Sequence, residues 1–404
     1  MILSLRRYIY SNWKKFPSLQ KAPENVDFLG VAGSLGGGTT TFLLFADSMK
    51  FPFGVVRSVR HPVWKEDLER EWGMLGILKN TSLCASVPFP LFYEVFAGVP
   101  TLGESVLQGV PMQVRSGSDG VPIIPLARSH FRSALDWIVA LHQETEEPLG
   151  KETEASLEKG ARPSTQTSLS ALVSQGQIVK IIERCTEICS LNHQERRLLS
   201  EVIGPDTLLP HLQRSFIVHG DFVPHNILLS GNSLRVIDWI SAKRSPLGCF
   251  DIFSFSLVYA LHARKMGGLH GYIKAFSGAF LNNNNFSNII EACLREYSAS
   301  LGIEVSRMRS LFAFFLVIKA EEEYDRRLSL VPYGFIPRWS KNIVNSTKLT
   351  YRQALKESIW IYFIKLLLRR KASFIIQAKD VRSAELIHDS WNLKFGPYYW
   401  VKFK

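Results

Sequence analysis

Long hydrophobic runs, internal repeats and a regular cysteine pattern are all missing from this sequence. Its 404 residues include five cysteines, scattered and odd in number, so a reducing compartment is expected rather than a disulfide framework. Only a few apolar residues precede Arg6 and Arg7, fewer than the apolar core of a secretory signal contains. We therefore expect a cytoplasmic protein with the length of two or three ordinary domains.

Two of the cysteines raise the question of a metal site. Cys185, Cys189 and His193 recur at helical spacing. A zinc site usually has a C-x2-C pair and a fourth ligand, and neither is present here. The pattern favours a buried helix face over a metal site.

Positive charge is concentrated near the carboxy-terminal end. From Lys341 onward there are thirteen basic and four acidic residues in a chain of net charge +12, and we call residues 341–404 the basic tail. Within it Ile359 to Leu368 is an apolar run interrupted only by Lys365, too short for the roughly 20 residues that cross a bilayer. We expect a helix packed on the rest of the protein. The alternative is a helix lying on an anionic membrane surface; nucleic acid is a weaker account, because no recognised nucleic-acid module is visible.

The densest group of chemistry-bearing residues lies at 215–239. His219 and Asp221 are followed by Asn226 and then by Asp238, and short apolar runs predict small strands around this loop. The H-x-D-x4-N spacing is typical of phosphoryl transfer, in which Asp accepts the proton of the acceptor hydroxyl while Asn and a second Asp hold magnesium. Magnesium prefers hard oxygen ligands and needs only one or two protein groups beside phosphate oxygens.

At these residues the sequence resembles the aminoglycoside phosphotransferase and choline kinase-like family, the small-molecule branch of the protein-kinase-like fold. The matching motif is HGDFVPHNILL followed by VIDW, with Gly inside the His-x-Asp triplet and Trp after the second Asp. The resemblance implies that Asp221 is the catalytic base and that Asn226 and Asp238 hold magnesium. It also implies that His219 and Asp251 support the catalytic loop.

An amino-terminal lobe of short strands is predicted upstream. The expected strands lie at 28–33, 40–46, 54–59, 91–96 and 101–107, and a glycine-rich turn separates the first two. Glycine lets a backbone approach phosphates closely and direct N–H groups at them. The residues expected to contact the triphosphate in this turn are Ser34, Gly36, Gly37 and Thr39.

The resemblance also implies a cation on the third strand, paired with a glutamate on the following helix. Arg57 and Glu71 match that order, although family members most often carry lysine at the position of Arg57. The planar guanidinium does not reproduce the compact ammonium group, so this exchange is not conservative. The resemblance places the crossing between lobes at Gln108 to Pro111, and the residues just before it, Ser105 to Leu107, would offer backbone donors and acceptors to the adenine base.

These observations predict an α+β chain with a two-lobed protein-kinase-like fold. The expected parts are a basic extension at 1–24, a β-rich nucleotide-binding lobe at 25–108, a larger helical lobe for catalysis and acceptor binding at 109–340, and the basic helical tail at 341–404. The predicted activity transfers the γ-phosphoryl group of ATP, with Mg²⁺, to a hydroxyl of a sugar, an aminoglycoside or an amino alcohol. The alternative is a non-catalytic nucleotide-binding or scaffold protein of the same fold, suggested by Arg57 and the basic tail.

Overall fold

The computed structural model describes residues 1–31, 38–47, 49–60, 64–117, 120–148, 175–208, 214–231, 233–264, 268–330 and 359–373. The chain divides into two compact units. Unit 1 comprises residues 1–113, 136–146 and 216–254, and unit 2 comprises 114–135, 147–215 and 255–404.

Unit 1 is built on a five-stranded antiparallel sheet. Its strands are β1 (Val26–Val31), β2 (Thr39–Ala46), β3 (Gly54–Val59), β4 (Pro90–Phe96) and β5 (Val99–Glu104). They lie in the order β1-β2-β3-β5-β4. All five strands expected in this part of the chain are therefore present, although the fifth ends at Glu104 instead of continuing to Leu107.

One face of the sheet is covered by the first helix, α1 (Ile2–Ser11). Leu5 and Ile9 are four residues apart, on the same side of the helix, and both are fully buried in a cluster that includes Phe92 of β4. Burying side chains of this size stabilises a fold by about 1.5–3 kcal/mol each. The segment expected to be an extension thus begins with a helix that belongs to the core of unit 1.

The opposite face of the sheet packs against α2 (Lys65–Leu78). Acidic residues in its first turn complement the helix dipole. Its buried residues are Leu68, Glu71, Leu75 and Leu78. These positions recur at helical spacing and form one face, so the same periodicity that buries the leucines directs Glu71 towards the sheet.

Short strands complete unit 1. β6 (Val110–Pro111), β9 (Ile227–Ser230) and β10 (Ser233–Val236) form a small antiparallel sheet in the order β10-β9-β6. The second part of β8 (Arg214–Val218) pairs with β11 (Lys243–Ser245). These strands flank the loop expected from the sequence at residues 219–226.

Unit 2 is mainly helical. Its helices, two of which also contribute to unit 1, are α3 (Ile124–Thr145), α4 (Gln175–Cys189), α5 (His193–Ile203), α6 (Pro205–Leu208), α7 (Cys249–Ala263), α8 (Gly268–Phe280), α9 (Asn285–Ser300), α10 (Met308–Leu330) and α11 (Ile359–Ser373). The short strand β7 (Glu147–Pro148) pairs with the start of β8. Phe131 and Phe255 pack edge to face in its core, with ring centroids 4.9 Å apart. Cys185 and Cys189 are buried on α4, as expected for a buried helix face. His193 does not share that face, because it begins the next helix, α5, and is exposed.

The apolar run of the basic tail forms α11. Phe363, Ile364 and Leu368 are buried, and the Phe363 ring stacks on Phe276 of α8 at 4.2 Å between centroids. This contact supports the expectation that the run packs on the protein, while the rest of the basic tail lies outside the described residues. No helix in the described ranges is long and apolar enough to cross a membrane.

Candidate active site

The loop at 219–226 begins with a glycine that no other residue could replace without strain. Gly220 has φ +78°, and a Cβ atom there would lie 2.4 Å from the carbonyl oxygen of Ser241. His219 is fully buried, and its Nε2 lies 3.0 Å from the carbonyl oxygen of Ile237. A carbonyl only accepts, so Nε2 carries the proton and Nδ1 accepts from the N–H of Asp221 at 3.3 Å. The imidazole thereby fixes the backbone on which Asp221 sits.

Asp251, in the first turn of α7, holds the same loop by hydrogen bonds to its backbone. Its Oδ2 accepts from the N–H of His219 at 2.6 Å, and its Oδ1 accepts from the N–H of Gly220 at 2.9 Å. Asp251 is fully buried, where a carboxylate with two charge-assisted hydrogen bonds is strongly preferred to an unpaired one. The geometry is that of the supporting role expected for Asp251.

Asp221 and Asn226 are in direct contact. The Nδ2 group of Asn226 donates to Oδ2 of Asp221 and to its carbonyl oxygen, both at 3.0 Å. Because both donors of the amide face Asp221, the Oδ1 atom of Asn226 remains as an acceptor for another group. The Asp221 side chain is half-buried, and Asn226 is buried.

Asp238 follows β10 in an uncommon backbone conformation. Its φ and ψ angles are 70° and 64°, a left-handed geometry that costs a non-glycine residue about 1–3 kcal/mol and is concentrated at functional sites. The N–H of Ile237 donates to the carbonyl oxygen of Asn226 at 2.9 Å, which ties the residue before Asp238 to the loop. The residue after Asp238, Trp239, is fully buried, and its Nε1 donates a hydrogen bond to the carbonyl oxygen of Val236.

Arg57 binds three carboxylates at once. Its Nη1 lies 2.7 Å from Oδ1 of Asp238 and 3.1 Å from Oε1 of Glu71, and its Nε lies 3.3 Å from Oε1 of Glu104. We call these four residues the Arg57 cluster. The side chains of Arg57, Glu71 and Glu104 are at most 9% exposed, whereas that of Asp238 is 41% exposed. The cluster therefore opens to solvent on the side of Asp238.

The sheet register explains why Glu104 reaches Arg57. Arg57 pairs with Leu102 and Val55 pairs with Glu104. Residues directly opposite in an antiparallel pair share a face, so Glu104 is the diagonal neighbour of Arg57 on the face that α2 covers. Sequence reasoning missed Glu104, since the only signal was one acidic residue at the end of an apolar strand.

The Arg57 cluster contains one cation and three carboxylates, and the pKa values reflect both burial and pairing. Burial raises the pKa of Glu71 to about 8, against the opposing attraction of Arg57. Burial likewise raises the pKa of Glu104. Burial alone would raise the pKa of Asp238, but attraction to Arg57 lowers it below its ordinary value. Burial acts to lower the pKa of Arg57, yet the three carboxylates together raise it.

A second arginine missed by sequence reasoning ties α2 to the turn after Asp238. The Nε of Arg70 donates to the carbonyl oxygen of Ala242 at 3.0 Å, and its Nη2 lies 3.3 Å from that of Ile240. The same Nη2 bonds Oδ1 of Asp67 at 2.6 Å. Glu71 and Asp238 are thus linked both through Arg57 and through the backbone contacts of Arg70.

The other expected nucleotide contacts are placed only in part. Ser34, Gly36 and Gly37 lie outside the described residues, whereas Thr39 opens β2 opposite Val59. Ser105 does not offer its N–H to a base in this structure, because that N–H donates to the carbonyl oxygen of Phe89 at 2.9 Å. The hydroxyl of Ser105 accepts from the N–H of Phe89 as well. Leu107 is half-buried in the segment after β5.

The oxygen atoms at the site suit a magnesium ion. Asp238 supplies a partly exposed carboxylate and Asn226 an uncommitted amide oxygen, both hard ligands of the kind Mg²⁺ takes. Within the described ranges, no group of three or more His, Cys, Asp or Glu side chains is arranged to hold a metal. A metal at this site would therefore depend on these two residues and on oxygens of a ligand.

A β-rich unit with a cation–glutamate pair, joined to an Asp–Asn loop and a following Asp, defines the protein-kinase-like fold. The family model described as the phosphotransferase enzyme family, APH, matches residues 54–253. This match confirms the resemblance noted from the motifs. No curated protein matches the sequence.

Several solved structures are similar to this chain at low identity. A thermostable mutant of aminoglycoside phosphotransferase APH(4)-Ia, in a ternary complex with ADP and hygromycin B, is 13% identical, covers 91% of this chain and 98% of its own, and has a TM-score of 0.43. Choline kinase from Cryptosporidium parvum Iowa II is 12% identical; the match covers 83% of this chain and 97% of the choline kinase chain, with a TM-score of 0.38. A putative fructosamine-3-kinase from Haemophilus somnus 129PT is 13% identical; the match covers 92% of this chain and 97% of that protein's chain, with a TM-score of 0.45.

Proposed function

We propose that the protein transfers the γ-phosphoryl group of ATP to a hydroxyl group of a small molecule. The observation that carries the proposal is the contact of Asp221 with Asn226 in a loop braced by Asp251 and continuous with Asp238. Phosphoryl transfer requires little beyond positioning and charge stabilisation, which these residue types supply.

In this proposal Asp221 acts on the acceptor. Its carboxylate is half-buried and held by Asn226, so it is oriented without being sequestered. It would accept the proton of the attacking hydroxyl as that oxygen bonds to phosphorus. The amide contact fixes which oxygen of Asp221 is free for that step.

Asn226 and Asp238 would hold Mg²⁺ on the phosphate side. When bound, the ion would neutralise the charge that develops on the phosphate oxygens. Asp238 now shares its Oδ1 with Arg57, so the guanidinium would stay beside the metal carboxylate and face the phosphates. Glu71 would keep Arg57 in place, and the glycine-rich turn with Thr39 would cover the triphosphate.

The alternative is a non-catalytic protein that binds nucleotide or serves as a scaffold. The observation that favours it is the close pairing of Arg57 with Asp238, since the cation and the metal carboxylate neutralise each other in this structure. A protein without catalysis would have no use for the oriented Asp221–Asn226 pair. We therefore place catalysis first.

The test is a transfer assay with the purified full-length chain, ATP and Mg²⁺ over a panel of sugars, aminoglycosides and amino alcohols. We expect ADP release and addition of one phosphoryl group to at least one class of acceptor. Asp221→Asn should lose this activity, and Asp27→Asn, an exposed carboxylate on β1, should keep it. ATP binding with no transfer to any class would favour the non-catalytic alternative.

A further inference from the structure

The position of Arg57 is the clearest departure of this site from the family pattern, and its surroundings differ as well. One of its partners, Glu71, is the glutamate that the resemblance implies, and a second is Asp238. The third, Glu104, is buried at the end of β5, with only 4% of its side chain exposed. A buried carboxylate of this kind needs a partner, because leaving one charge of a buried pair uncompensated is strongly destabilising.

The partner of Glu104 is the Nε atom of Arg57, at 3.3 Å. The opposite end of the guanidinium, Nη1, contacts Glu71 and Asp238. The planar group thus spans the cluster from β5 on one side to α2 and the turn after β10 on the other. A lysine could not span it, because the position of Nε is then occupied by the methylene Cε and the single ammonium lies farther along the stem.

We propose that Glu104 is the positioning residue that adapts this site to arginine, by holding the Nε edge of Arg57 so that Nη1 is directed at Glu71 and Asp238. The inference rests on the proposed role of Arg57 as the phosphate-facing cation. Arg57 and Glu104 are then a matched pair, and exchange of one without the other damages the site. Arg57→Lys should therefore weaken nucleotide binding while Glu104 is present, and binding should recover once that carboxylate is replaced by a neutral amide.

The test is a double-mutant cycle of Arg57→Lys, Glu104→Gln and both together. The first measurement is the thermal midpoint of each full-length protein without ligand. We expect Arg57→Lys to lower the midpoint most, because it leaves the buried Glu104 carboxylate without its cation, and Glu104→Gln to lower it less, because Arg57 keeps its ion pairs with Glu71 and Asp238. The double variant should melt near Glu104→Gln alone.

The second measurement is the affinity of each folded variant for magnesium-ATP, by calorimetry well below its melting temperature. We expect Arg57→Lys to lose about tenfold or more in affinity, which corresponds to at least about 1.4 kcal/mol of binding free energy. Adding Glu104→Gln should restore most of that loss. If Glu104 served only stability, the variants would differ in melting temperature but would bind magnesium-ATP with equal affinity.

The matched control is an exposed arginine–glutamate pair on α9. Arg295 lies 2.6 Å from Glu291, and both side chains are about 60% exposed. Arg295→Lys and Glu291→Gln should be nearly additive in melting temperature and neutral in affinity, because exposed pairs contribute little. Additive effects of Arg57→Lys and Glu104→Gln in both measurements would overturn the matched pair.

The outcomes separate this inference from the proposed function. If the wild-type protein does not bind magnesium-ATP, the proposed function fails, and the melting cycle alone decides whether Arg57 and Glu104 are matched. If it binds but the cycles are additive, the function stands and the inference fails. If Arg57→Lys alone does not fold, folding of the double variant supports the pair, and failure of both contradicts it.

Discussion

The loop around Asp221 and the Arg57 cluster are stabilised in different ways. The loop is held by hydrogen bonds to its own backbone, with Asp251 accepting from two successive N–H groups and Asn226 donating to Asp221. The cluster is held by side-chain ion pairs between distant parts of the sequence, and Arg57 and Asp238 are 181 residues apart. The loop is therefore set by local geometry, whereas the cluster depends on the balance of buried charges.

The largest expected effect is the loss of phosphoryl transfer when the Asp221 carboxylate is removed. Asp221→Asn keeps the shape of the side chain and removes its basicity, so phosphoryl transfer should fall by about 10²–10⁴-fold. Initial rates of ADP release with a responsive acceptor give the measurement. A rate within threefold of wild type would mean that another group accepts the proton.

Removal of the Asp251 carboxylate should destabilise the loop at 219–226, whose backbone it holds, and leave the ion pairs of the Arg57 cluster in place. Asp251→Ala removes the acceptor of the buried N–H of His219, at a cost of about 1–3 kcal/mol, and that of the half-buried N–H of Gly220. Chemical denaturation measures the loss. The control is Asp47→Ala, because Oδ1 of Asp47 also accepts from two backbone N–H groups, at 2.9 Å, but at an exposed position. Equal losses for the two variants would show that burial of the loop bonds is unimportant.

The charge balance of the cluster should appear in the pH dependence of stability. The pKa of Glu71 is raised by burial from 4.5 to about 8, so the folded state binds this proton more tightly than the unfolded state. The contribution is complete below pH 4.5 and is lost as the pH rises through about 8. Glu71→Gln should flatten the decline of unfolding free energy between those values, and the exposed Glu94→Gln should not. Identical slopes in wild type and Glu71→Gln would contradict the assignment.

A smaller effect is expected from the link between α2 and the turn after Asp238. Arg70→Met keeps a long apolar stem and removes the donors to Ala242 and Ile240, each bond contributing about 1 kcal/mol. We expect a modest loss of stability and a weaker magnesium dependence of nucleotide binding, because the turn that carries Asp238 is loosened. Unchanged magnesium dependence, with the stability loss present, would limit Arg70 to a structural role.

The sequence predicted the loop better than it predicted the cluster, for a physical reason. Asp221 and Asn226 lie five residues apart in one loop, and their spacing alone predicts that they meet. Glu104 reaches Arg57 only because the register of β3 and β5 makes them diagonal neighbours. Arg70 likewise contacts a backbone carbonyl 172 residues away. Such partners depend on tertiary pairing, which no local pattern in one sequence records.

Two further differences have the same origin. The fifth strand ends at Glu104, and Ser105 after it is held by two hydrogen bonds to Phe89, one of them through its side-chain hydroxyl. The amino-terminal helix lies in the segment expected as a basic extension. It contributes to the core through Leu5 and Ile9, which are fully buried, with Tyr8 and Tyr10 packed beside them.

The most direct test compares Asp221→Asn with Asp238→Ala in magnesium-ATP binding by calorimetry, since Asp221 is assigned to the acceptor and Asp238 to the metal. We expect Asp221→Asn to bind magnesium-ATP nearly as tightly as wild type, because its carboxylate acts on the acceptor. Asp238→Ala should lose most of the magnesium-dependent affinity, because it removes the metal carboxylate beside Arg57. Equal losses in the two variants, or full magnesium-dependent binding by Asp238→Ala, would contradict the assignment.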